Sequence, residues 1–213
     1  YFAIKYNLLK DGLFSFIQKI DKNTLKSHIS KLMQNPDEEI IEKVESILPY
    51  ELDTHHLSEN NKTNFGATNN MKEWYSKTYF NLVTETFFGR NVFLSEKVFK
   101  PLSNLQPFIV LGDYGTLSEL KRLGFKTFDG FIDESYDNEQ NDKKRYLMLC
   151  SEIERISNLS LEEIHNWYVS IQDILIHNRN HLLSFADKIM FKENLQKFED
   201  KWVTEQKKIE GRL

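Results

Sequence analysis

Residues 79–123 read YFNLVTETFFGRNVFLSEKVFKPLSNLQPFIVLGDYGTLSELKRL, and this run decides the fold. Tyr79 to Thr84 is aromatic and β-branched, the composition of a strand. Ser95 is a helix-capping residue placed before Val98, Phe99, Leu102 and Leu105, which share an apolar helical side. Pro101 inside that stretch predicts a kink or a late helix start. Pro107 to Leu111 is a continuous apolar run, which fits a strand covered on both faces. Gly112 and Gly115 bracket a turn, Leu117, Leu120 and Leu123 mark the next helix, and Gly124 ends it. Phe125 to Phe128 is predicted as a third strand. Strands joined by helical crossovers run parallel, with a right-handed connection in about 98% of cases. The predicted class is therefore α/β, a Rossmann-like parallel sheet with a largely helical C-terminal extension.

On the N-terminal side, residues 1–6 read as a short strand. Leu9, Leu13, Phe16, Ile17 and Ile20 have helical spacing. Further helices are predicted over 24–33 and 37–48, the second started by Pro36, Asp37 and Glu38 and closed by Pro49. Residues 51–70, ELDTHHLSENNKTNFGATNN, are polar and read as a long loop. They set the expected organisation: 1–70 as a small, mostly helical N-terminal segment, and 71–213 as the Rossmann-like unit with its C-terminal helices. In that extension Tyr146, Leu149, Cys150, Ile153 and Ile156 form one apolar stripe. Leu161, Ile164, Trp167, Tyr168, Ile171, Ile174, Leu175, Leu182 and Phe185 form a longer one. A charged surface helix is expected over about 188–208. The chain begins at Tyr1, already in an apolar run, which reads as part of a longer protein.

The chain has 213 residues with 40% hydrophobic residues, enough to bury a core, and 16 Phe and 9 Tyr make that core aromatic-rich. The 28 basic and 32 acidic residues leave a net charge of -4, which gives no electrostatic case for nucleic acid or an anionic membrane. No apolar run approaches the roughly 18 residues of a membrane span. The one cysteine, Cys150, rules out an intramolecular disulfide and fits a reducing, cytoplasmic location.

In parallel sheets ligands bind beyond the carboxyl ends of the strands. Two loops are predicted to converge there. One carries Glu85, Arg90, Ser95, Glu96 and Lys97, and the other carries Gly112, Asp113, Tyr114, Gly115 and Thr116. This mixture suits a nucleotide diphosphate. Helix N-termini offer free N–H groups and partial positive charge to phosphate. Arg90 or Lys97 adds a full charge, glycines allow close backbone approach, and Glu96 can accept two hydrogen bonds from ribose hydroxyls. The same residues have blander readings. Glu96 and Lys100 are spaced as a surface i,i+4 pair, the glycines can simply shape a turn, and the GDYG turn is neither a GxGxxG nor a P-loop.

The segment 93–137, FLSEKVFKPLSNLQPFIVLGDYGTLSELKRLGFKTFDGFIDESYD, resembles the C-terminal, donor-binding half of a group of glycosyltransferases common in phages, large viruses and bacteria. That group has a pattern close to TEK-x-x-KPI…PFI-x-x-G…L-x-x-LGF-x-TF…DESYD. Its Glu-Lys pair is similar to that of the family 10 glycosyltransferases, the α1,3-fucosyltransferases of GT-B fold. The resemblance covers roughly residues 75–157 and is most specific from Ser95 to Asp137. It implies a GT-B C-terminal-type domain, with Glu96 as ribose ligand and Lys97 as diphosphate ligand of a GDP- or UDP-sugar. Ser95 stands where Thr is more usual. Glu85 would lie near the donor, and the turn Gly112, Asp113, Tyr114, Gly115 would pass under the sugar or phosphates. The implied reaction is direct displacement at the anomeric carbon, without an obligatory metal or other cofactor. The acceptor, a glycan or protein, is activated by a general base that usually lies in the other half of such enzymes. The alternative is a non-catalytic α/β structural or interaction module on a degenerate transferase fold.

Three other clusters carry ligand chemistry. Asp133, Glu134 and Asp137 suit a hard cation, but without EF-hand spacing they read better as a solvated loop that positions Tyr136. Asp53, His55 and His56 sit in the polar linker. His177 and His181 are an i,i+4 pair with zinc-ligand spacing and no evident third ligand, so a helix-surface reading is preferred.

Overall fold

The computed structural model describes residues 1–10, 12–14, 19–50, 74–85 and 92–184. It is a mixed structure, mostly helical, built around one two-stranded parallel sheet. Strand β1 (Asn81–Thr84) pairs with β2 (Phe108–Leu111) in the register Asn81↔Phe108 to Thr84↔Leu111. Asn81 N donates to Pro107 O at 2.9 Å and Glu85 N to Leu111 O at 3.0 Å, so the ladder continues past both strand ends. Phe108, Ile109 and Val110 are all buried, as a strand covered on both faces requires.

Helix α5 (Glu96–Ser103) crosses between the strands. Ser95 caps it, its hydroxyl accepting from Lys97 N at 3.2 Å. Pro101 lies inside this helix, which stops two residues later at Ser103. Asn104 N there satisfies the carbonyls of Lys100 and Pro101. Helix α6 (Thr116–Arg122) follows the GDYG turn.

The predicted third strand is not one. Phe125 and Phe128 are buried, but their segment pairs with side chains in place of a neighbouring strand. Asn178 acts as a substitute strand, its Oδ1 accepting from Lys126 N and its Nδ2 donating to Lys126 O, each at 2.8 Å. Phe128 N donates to the Glu134 carboxylate at 2.7 Å. The expected strand at 1–6 is likewise a helix, α1 (Phe2–Lys5).

Helices α2 (Lys22–Leu32) and α3 (Glu38–Ile47) form where predicted, capped by the carboxylates of Asp21 and Asp37. Leu25, Ile29, Ile41 and Val44 make a small core there, separate from the main one and lined by Tyr1 and Ile4. Phe2 meets Tyr146 edge-on at 5.5 Å, which seats α1 on α7 (Asp142–Ser157). The expected boundary near residue 70, the 51–70 loop and the helix over 188–208 fall outside the described residues.

Helix α8 (Leu161–Ser170) starts with a full capping box between Ser160 and Glu163, and α9 spans 172–184. Their stripe delivers Trp167, Ile171 and Leu175 to the main core, against Phe128 and the sheet. A helical turn at 74–77, α4, precedes β1. Gln106 fastens the chain that follows it to the start of β2, its Nε2 donating to Thr78 O at 2.9 Å. Among the described residues no helix is long and apolar enough to cross a membrane.

Candidate functional site

Parallel pairing brings the carboxyl ends of β1 and β2 together, so the segments that leave them are neighbours. A methyl group built on Gly115 would lie 3.9 Å from the Val92 side chain, which puts the 92–95 approach to α5 beside the GDYG turn. The described end of the first loop thus lies beside the second, and residues 86–91 of it fall outside the described residues. What each residue does there differs.

Glu85 is 2% exposed. Its carboxylate accepts from Ser95 N at 3.0 Å and from the Ser95 hydroxyl in a very short contact. Both Glu85 and Ser95 thus face each other. Arg90 lies outside the described residues.

Glu96 and Lys97 occupy the first turn of α5 and are about one-third exposed. Lys97 Nζ lies 3.3 Å from Glu96 Oε1, so the ion pair involves adjacent residues. Partial burial works against the Glu96 charge, but its own backbone N–H, Lys97 and Lys100 outweigh that and hold the carboxyl below the usual range. The site therefore presents an ionised carboxylate and an ammonium group at the start of a helix.

The GDYG turn is tightly held from inside. Gly112 O accepts from the buried Arg145 guanidinium at 3.1 Å, and a Cβ on Gly112 would come within 2.7 Å of the Thr116 hydroxyl. Asp113 is buried; its carbonyl accepts from Thr116 N and from Thr116 Oγ1. Gly115 sits at φ 81, a conformation that favours glycine, and donates to Asp137 O at 2.9 Å. Tyr114 alone of the four projects outward, 47% exposed.

The amides at the start of α6, expected to face a diphosphate, already have an anion. Asp137 is 4% exposed and accepts from Leu117 N at 2.8 Å, Ser118 N at 2.9 Å and Ser118 Oγ at 2.9 Å. Glu134, also buried, accepts from Thr127 Oγ1, Phe128 N and Lys121 Nζ. Of the loop expected to be solvated at 133–137, Asp133 and Ser135 are exposed, while Glu134 and Asp137 are buried staples and Tyr136 is held at 3% exposure. Among the described residues no group of three His, Cys, Asp or Glu side chains is arranged to hold a metal ion. Asp53, His55 and His56 lie outside them.

The pair His177 and His181 also turns inward. His177 Nε2 donates to Gly124 O at 3.0 Å and His181 Nε2 to Leu123 O at 2.7 Å, which docks α9 on the end of α6. Sequence reasoning missed Arg145 and Asn178. Each is a polar side chain on an otherwise apolar helical stripe, and that placement is the signal that could have flagged both.

Comparison with protein-family models, curated proteins and solved structures finds no match to this chain.

Proposed function

We propose that the chain is the donor-binding part of a glycosyltransferase that transfers a sugar from a nucleoside diphosphate to a glycan or protein acceptor. In this reading β1, α5, β2 and α6 belong to a Rossmann-like domain of GT-B C-terminal type. The observation that carries it is the pair Glu96 and Lys97. They stand ionised and partly exposed in the first turn of α5, beyond the carboxyl end of a parallel strand pair and beside the GDYG turn. Lys97 and the positive end of α5 offer charge to the diphosphate, and Glu96 offers two acceptor oxygens to the ribose. With the α6 amides held by Asp137, the phosphates rest on α5 and not on the glycine turn. Isothermal titration with UDP and GDP tests this. Wild-type protein binds one of them, and Glu96→Ala and Lys97→Ala lose that binding while remaining folded.

A second reading, a non-catalytic structural or interaction module, is favoured by one feature: Asp137 and Glu85 fill with the chain's own carboxylates the positions where a ligand anion would sit. A melting screen across UDP, GDP, CMP and their sugars separates the two. No shift with any of them rejects the transferase reading for this chain.

A further inference from the structure

We propose that Glu85 is a positioning residue that acts through Ser95: it fixes the start of α5, and with it the Glu96–Lys97 pair, without touching the donor. This rests on the donor-site reading above and assigns a role within that site.

The geometry is a relay. Leu111 O in β2 accepts from Glu85 N at 3.0 Å, so the Glu85 backbone is fixed by the sheet. The Glu85 carboxylate then takes both polar groups of Ser95, its N–H at 3.0 Å and its hydroxyl proton. The same hydroxyl oxygen accepts from Lys97 N at 3.2 Å. One buried carboxylate therefore ties the end of β1 to the first turn of the helix that carries the candidate ligands.

Two features separate this role from direct contact. At 2% exposure Glu85 has no face left for a ribose or phosphate, whereas Glu96 is about one-third exposed. A buried carboxylate also needs its partners, because an unpaired one is strongly disfavoured. Ser95 supplies two donors at once, and Ala at position 95 would remove one of them and the cap together.

The test is a double-mutant cycle read on nucleotide affinity, using UDP and GDP with wild type, Glu85→Ala, Ser95→Ala, the double variant and Glu85→Gln. Positioning through Ser95 predicts that each single alanine weakens binding about tenfold and that the double variant is no weaker than the worse single. Glu85→Gln, which keeps one acceptor oxygen, recovers most of the loss. If the wild type binds but the two losses multiply, or Glu85→Ala binds normally, the relay is wrong and the donor reading stands. If the wild type binds neither nucleotide, the donor reading fails and the positioning role falls with it. Should Glu85→Ala not fold, folded Ser95→Ala decides: about tenfold weaker nucleotide binding supports the relay, and unchanged binding overturns it.

Discussion

Replacing Asp137 by alanine tests whether the DESYD stretch is a structural staple. Helix α6 begins at Gly115, which has no side chain to cap it. Asp137 performs that task from twenty residues away, accepting from Leu117 N, Ser118 N and Ser118 Oγ. Losing a capping side chain costs about 1 kcal/mol. Stranding the buried Leu117 N–H costs about 1–3 kcal/mol more. The overlapping effects sum to roughly 2–4 kcal/mol for Asp137→Ala. At about 2–4 °C per kcal/mol for a chain of this size, the melting temperature falls by roughly 5–15 °C. Asp137→Asn keeps one acceptor oxygen and loses roughly half as much. Ser135→Ala is the control: its exposed side chain neighbours the same turn, and the change stays within about 0.5 kcal/mol. Urea unfolding followed by tryptophan fluorescence measures all three. An Asp137→Ala variant as stable as wild type would refute the assignment of the α6 cap to Asp137.

Three further outcomes follow from other contacts. Glu96→Ala and Lys97→Ala leave unfolding free energy within about 0.5 kcal/mol of wild type, because an exposed pair contributes little, and chemical denaturation checks this. Cys150 resists thiol reagents at pH 8 until the protein unfolds. Burial pushes its thiol up to about 11, leaving roughly one thiolate in a thousand. Because the fold favours the neutral thiol, this contribution to stability is complete below the ordinary thiol range and is lost as pH rises toward 11. Gly124→Ala and Gly130→Ala both place a side chain at positive φ, 94 and 98, but only at Gly124 does the new Cβ meet an obstacle, His181 Nε2 at 2.8 Å. Thermal melts are expected to show Gly124→Ala costing about 1–2 kcal/mol more than Gly130→Ala, and an equal loss in both would mean that His181 moves aside freely.

The local signals that were legible in the chain were those satisfied by neighbours in sequence. Asp37 before Glu38 and Ser95 before Glu96 cap helices with bonds spanning two or three residues, and both helices form where their patterns place them. The apolar run at 108–111 becomes a buried strand because any partner that covers both faces satisfies it. The segment 125–128, Phe-Lys-Thr-Phe, also buries its two aromatic residues but does not become a strand. The backbone partner of Lys126 is chosen at long range: Asn178 lies 52 residues away, and no local pattern indicates that an amide side chain will replace a strand edge.

The same distinction governs the candidate site. Glu85, Glu96, Glu134 and Asp137 are all carboxylates in or beside loops, and residue type alone makes each a ligand candidate. Burial separates them. Glu85, Glu134 and Asp137 are 2%, 8% and 4% exposed, and each has backbone N–H groups of this chain as partners. A carboxylate in that state is already solvated by protein, and a ligand could reach it only by breaking charge-assisted hydrogen bonds of about 1.5–3 kcal/mol each. Glu96 keeps a third of its surface in water, with one adjacent lysine at 3.3 Å, and can exchange that weak pair for ribose hydroxyls at little cost. Of the four, it is therefore Glu96 whose substitution is expected to remove ligand binding at unchanged stability, while substitution of the other three is expected to cost stability.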